Sequence, residues 1–166
     1  MIIHTTSHLG AQGSPYAWIM NVTFILLGLS AISCIMKTKT MYHFIFGFVF
    51  GASLMMAGIF QHASFVDGYS SVVWKDQLHS IFVTLTGTSF VFLSFGHGIM
   101  SNNKQRYLAI GIAGLSTFLS LFMMLYPSIM GILQRIMFIT AFYWLFFVMR
   151  ISDHSSYHLK RALPDK

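Results

Sequence analysis

A guanidinium inside an apolar run is costly to place in hydrocarbon, so the chemistry of this 166-residue chain is read outward from Arg135. It lies about seven residues into an apolar stretch, which at about 1.5 Å per residue puts it roughly 10 Å below one membrane surface. A charge at that depth calls for an acidic partner or an anionic ligand. The chain has four acidic residues, all aspartates. Asp67 and Asp76 fall in the one long connection on the side of Arg135, whereas Asp153 and Asp165 fall in the C-terminal tail. His62 and His79 flank the same connection, and Gln134 adjoins Arg135. His62, Asp67, Asp76, His79, Gln134 and Arg135 are therefore expected to form one polar cluster. It would suit a lipid headgroup or small amphipathic ligand, with Arg135 holding an anionic group. The plainer alternative has Arg135 snorkelling to the interface, or pairing with one aspartate to lock the helices.

Other polar residues admit weaker readings. At 100° per residue, Asp76, His79, Thr86, Ser94 and His97 share a helix face, a stripe that can line a cavity, a ligand groove or a proton path. Serine and threonine in such helices more often bond their own backbone or a neighbouring helix. His43 with His97, and His62 with His79, outline a two-site bis-histidine haem arrangement. Helices in direct contact leave little room for haem, so no cofactor is expected. His62, Asp67, Asp76 and His79 have the right types for zinc but no tight ligand spacing, so no metal is expected either. His154 and His158 in the tail fall at i, i+4 without the glutamate of a zinc-protease motif. No phosphate-binding loop, dinucleotide glycine run or nucleophile elbow is present.

These residues have to be positioned by helices. Crossing about 30 Å of hydrocarbon takes roughly 20 apolar residues, and the sequence has such stretches at about 15–36, 41–62, 79–100, 107–126 and 128–150. Ser14 is expected to cap the first, with Pro15 at its opening position. Pro127 must turn the last two into a tight hairpin. Gly47 and Gly51 form a GxxxG, and Gly87, Gly96, Gly98, Gly111 and Gly114 give the third and fourth helices small faces. A compact bundle explains these glycines more simply than a specific dimer motif.

Composition agrees. The chain is 55% hydrophobic and 8% charged, against about 25% charged in soluble domains, so lipid must solvate most of it. The net charge of +6 does not point to nucleic acid, because the cations sit beside apolar segments as topology signals do. Lys37, Lys39, Lys104, Arg106, Arg150, Lys160, Arg161 and Lys166 fall on one side, and Lys75 and Arg135 toward the other. The expected architecture is all-α: one five-helix transmembrane domain over 1–150, N-terminus outside, with a cytoplasmic basic tail over 151–166. Residues 1–14 are not expected to act as a cleavable signal peptide. Cys34 is the only cysteine, so no internal disulfide forms.

Several stretches carry a resemblance. Ser7-His8-Leu9-Gly10 leads into Tyr16-Ala17-Trp18-Ile19-Met20-Asn21 and Phe24-Ile25-Leu26-Leu27-Gly28; Ala57-Gly58-Ile59-Phe60 is followed by His79; Gly131-Ile132-Leu133-Gln134-Arg135 precedes Trp144. On these the chain resembles the bacterial and archaeal membrane family known as domain of unknown function 998. The resemblance implies a shortened form without the family's usual first helix, and a place in a bacterial cytoplasmic membrane. Gln61 and His62 stand where the family often has proline and aspartate. It emphasises His79 and Arg135 and names no reaction. The leading expectation is a ligand- or lipid-binding protein. The rivals are a membrane-embedded enzyme using His62 or His79 as base, and a structural subunit with a membrane-protein partner or a second copy of itself.

Overall fold

The computed structural model describes residues 6–38, 40–66, 68–101 and 104–149. The expectations for Lys39, Asp67, Arg150 and the tail lie outside these residues. The protein is an all-helical multi-pass membrane protein. A short α1 (Thr6–Leu9) precedes α2 (Ala17–Ile35), α3 (Met41–Ile59), α4 (Val73–Met100), α5 (Lys104–Leu125) and α6 (Met130–Tyr143). A 3-10 turn, Pro127–Ile129, leads into α6, and a π-helical stretch, Trp144–Val148, continues it. Five helices, the last counted from Pro127 to Val148, are long and apolar enough to cross a membrane.

The boundaries depart from expectation where polar contacts, rather than hydropathy, decide them. Ser14 is not the cap of α2: Tyr16 holds that position, no side chain caps the helix, and Ser14 offers its backbone carbonyl to Ala17 N at 3.2 Å. α3 stops at Ile59, short of His62, and Phe60 is extended with φ −91°. The terminal carbonyls of a helix need donors from elsewhere, and here His79 supplies one, as described below. α4 begins at Val73, not at His79, and runs 28 residues. At about 1.5 Å each it measures roughly 42 Å, enough to pass the hydrocarbon and enter the headgroup region. Its first turn therefore tolerates Lys75 and Asp76, and Asp76 there complements the helix dipole.

Packing in lipid rests on close backbone approach. A Cβ on Gly51 would lie 2.6 Å from Ile32 Cγ1 and 2.8 Å from the Gly28 carbonyl, so α2 and α3 cross where neither carries a side chain. Gly47 fits against Ile35 in the same seam. The GxxxG thus packs within the chain. Gly87, Gly111 and Gly114 meet nothing within 4 Å, so the small-face expectation fails for them. Consecutive helices are neighbours around the bundle, and the π-helical stretch returns to α2, where Cys34 Sγ donates to the Leu145 carbonyl at 3.8 Å. Phe24, Phe50, Leu54, Phe90, Leu93 and Trp144 belong to the common core.

Candidate functional site

One end of the bundle is closed by α1, the turn before α2 and the connection between α3 and α4; we call it the capped end. Its keystone is Gln12, 1% exposed. Its Nε2 donates to the carbonyls of Gln61 and Val72, both at 3.2 Å, and its Oε1 accepts the Val72 N–H at 2.8 Å. Its backbone N–H reaches the His62 carbonyl at 3.0 Å. Gly13, in the left-handed region at φ +75° with a Tyr69 ring atom 2.8 Å from where a Cβ would stand, turns the chain beneath that connection.

His79 lies on the inward face of α4 and is 3% exposed. Its Nδ1 lies 2.9 Å from the Ala57 carbonyl and 2.7 Å from that of Phe60, so this imidazole closes the end of α3. His62, on the extended segment after α3, places Nδ1 at 3.3 Å from Asp76 Oδ1 and 3.2 Å from the Ala63 carbonyl. The same Asp76 oxygen accepts the Ala63 N–H at 2.8 Å, drawing the connection onto the first turn of α4. The rings of His62 and His79 stand edge-on with centroids 5.5 Å apart, and His8 of α1 adds a third ring 5.4 Å from His62.

Of the six residues expected to cluster, His62, Asp76 and His79 come together. Gln134 does not join them directly: it is buried on α6 and its Oε1 accepts both the Thr6 N–H at 2.7 Å and the Thr6 hydroxyl at 2.8 Å. α1 links the two halves, since Thr6 binds Gln134 while His8 meets His62. A pairing of Arg135 with Asp67 lies outside the described residues, and with Asp76 no ion pair is seen among the described residues. Asp76 is engaged by His62, and Arg135 Nη1 donates to the Gly131 carbonyl of its own helix at 3.3 Å. Side chains on a helix lean toward its N-terminus, and on α6 that direction leads to the capped end, the direction in which the Gly131 contact draws Arg135. Asp67 lies outside the described residues. Sequence reasoning missed Thr6, His8 and Gln12. The amide of Gln12, set among small residues ahead of the first span, was the available signal.

Below the capped end lies a cavity of about 60 Å³ to which α1 through α6 all contribute. Phe24, Phe50, Leu54, Phe90 and Phe138 make it apolar, and Ser7, Thr86, Ser116 and Gln134 put polar atoms on its walls. Ala57, whose carbonyl binds His79, lines it, as do Val83 and Thr86, which follow His79 at i+4 and i+7 on the same helix face. His79 thus stands between the cavity and the capped end. The lining residues Val83 and Ser120 are exposed, so the cavity opens sideways between α4 and α5 toward lipid.

The rest of the stripe on α4 is structural: the hydroxyls of Thr86 and Ser94 bond the carbonyls of Phe82 at 2.8 Å and Phe90 at 2.9 Å, one turn back. At the opposite end, His97 Nδ1 and His43 Nε2 bond each other at 3.1 Å, with Trp144 edge-on to His97.

No curated protein and no solved structure matches the chain. Residues 1–151 match the family described as "Protein of unknown function (DUF998)". A match over that share of the length, on a chain with five membrane-crossing helices, means that this protein belongs to the DUF998 family.

Proposed function

We propose that the protein binds a small amphipathic molecule or lipid at the capped end, the polar head among His62, Asp76 and His79 and the first carbons of the chain in the cavity. The observation that carries this reading is the cavity itself: apolar walls, a few polar groups from Ser7, Thr86, Ser116 and Gln134, and a side opening to lipid. Ligand sites are mostly apolar concavities with a few placed polar groups. Arg135 is not among the cavity-lining residues. We assign it to an anionic headgroup of the surrounding bilayer, which a guanidinium toward the capped end can meet with N–H donors beyond the one given to Gly131. The bias of Lys and Arg toward the other end supports placing the capped end outside a bacterial cytoplasmic membrane.

Gly87 provides the test. A Cβ there meets nothing within 4 Å and Gly87 lines the cavity, so Gly87→Leu is expected to fold and to lose the thermal stabilisation that octyl amphiphiles give the wild type in detergent. Stabilisation equal to wild type would place the ligand elsewhere. Arg135→Gln is expected to leave the cavity ligand bound while lowering, by about threefold to tenfold, the preference for anionic over zwitterionic lipid. Counting the lipids retained by nanodisc-reconstituted protein measures this, and an unchanged preference would remove the headgroup role.

A second reading is favoured by the 3.3 Å contact of His62 with Asp76. A carboxylate that orients an imidazole is the arrangement of a general base, which would make the protein a membrane-embedded enzyme acting on lipid. Incubation with labelled lipid distinguishes the two: turnover abolished by Asp76→Asn supports catalysis, and binding without turnover supports the first reading.

A further inference from the structure

We infer that the head of the bound molecule is an uncharged, hydroxyl-bearing group, such as the glycerol end of a monoacylglycerol, donating to His79 Nε2; this rests on the reading of the cavity as an amphipathic-ligand site. The argument begins with a tautomer. Both partners of His79 Nδ1 are backbone carbonyls, which only accept, so Nδ1 carries the proton. In the neutral ring Nε2 then holds a bare lone pair. That atom is buried and has no hydrogen-bond partner among the described residues. A buried acceptor left unpaired is costly, and a native structure normally satisfies it with water or a ligand.

The surroundings select what can satisfy it. His62 Nδ1 also faces two acceptors, the Asp76 carboxylate and the Ala63 carbonyl, so its Nδ1–H is turned toward them. The His79 acceptor and the Asp76 carboxylate, which stand beyond the cavity lining on the side of the capped end, disfavour a phosphate or a carboxylate, which bring acceptors alone. They suit a hydroxyl, which brings a donor. Among the described residues no three His, Cys, Asp or Glu side chains are arranged to hold a metal ion, so the donor is argued to be a hydroxyl and not a cation. The cavity walls then receive the first methylenes of the chain.

Three probes of equal acyl length separate the possibilities: 1-monooctanoylglycerol, methyl octanoate and octanoate, titrated into the purified full chain in detergent. The wild type is expected to bind the glyceride on the order of tenfold more tightly than the ester, the effect of one hydrogen bond to a buried acceptor, and octanoate most weakly. His79→Asn keeps an N–H for the Ala57 and Phe60 carbonyls but lacks Nε2, and in it the glyceride-to-ester ratio is expected to fall to about one. Adding the glyceride, and not the ester, is expected to shift the Nε2 resonance of His79 in 15N spectra, a readout that needs no variant. Equal binding of glyceride and ester by the wild type, or a preference kept in His79→Asn, overturns the hydroxyl assignment and leaves the cavity reading standing. Binding of none of the three overturns both. Stoichiometric zinc retained by the wild type and lost from His79→Asn would give the lone pair to a metal and overturn the hydroxyl.

Discussion

Gln12→Leu is expected to unfasten the capped end while the five spanning helices stay assembled. Leucine matches the volume of glutamine but leaves the Val72 N–H and the carbonyls of Gln61 and Val72 without their partner. Each abandoned buried group costs about 1–3 kcal/mol, and water cannot repair them without opening the segment, because Gln12 is 1% exposed. The expected loss is about 3–5 kcal/mol, confined to the connection between α3 and α4 and the turn before α2. Hydrogen exchange measures it directly: the Val72 amide and its neighbours should exchange at least about a hundredfold faster, while amides in the middle of α3 and α5 keep their protection. Unchanged exchange at Val72 would show that Gln12 does not hold this end.

The second large effect is expected at the crossing of α2 and α3. Gly51→Val puts methyl groups where even a Cβ would stand 2.8 Å from the Gly28 carbonyl and 3.3 Å from Ile32 N. Those atoms are helix backbone, so they cannot step aside as a side-chain tip can, and the helices must part along the whole seam. Overpacking of this kind costs about 1–3 kcal/mol and sometimes more; a backbone obstacle puts Gly51→Val at or above the top of that range. A fall in Tm of about 10 °C in detergent is expected. Gly111→Val, on a face of α5 with nothing within 4 Å, is the control and should melt within a degree or two of wild type. Equal melting of the two variants would contradict the crossing.

Hydropathy made the five spans legible, because length and apolar composition are the conditions hydrocarbon imposes. It missed the start of α4. Val73 through Gln77 carry charge and look like loop, yet they are helical because the headgroup region accepts charge. The intramolecular seam was legible in Gly47 and Gly51, whose spacing marks a close approach; the partner Gly28 had no motif of its own. At the candidate site, His62, Asp76 and His79 could be gathered from their positions at span ends. The pairing within the set could not. Of the two aspartates matched to Arg135 on charge, Asp67 lies outside the described residues, and the first turn of α4 brings Asp76 to His62. α1 and Gln12 escaped notice because their role is long-range hydrogen bonding, such as Thr6 to Gln134, which leaves no periodic trace in a sequence.

The cavity occupant is most directly tested by native mass spectrometry of the full chain released from a gentle detergent. A single retained adduct with the mass of an uncharged acyl amphiphile, present on the wild type and absent from Gly87→Leu, is the expected result. A wild type that carries no adduct, or the same adduct on Gly87→Leu, would contradict a ligand in this cavity and leave the capped end as a structural closure.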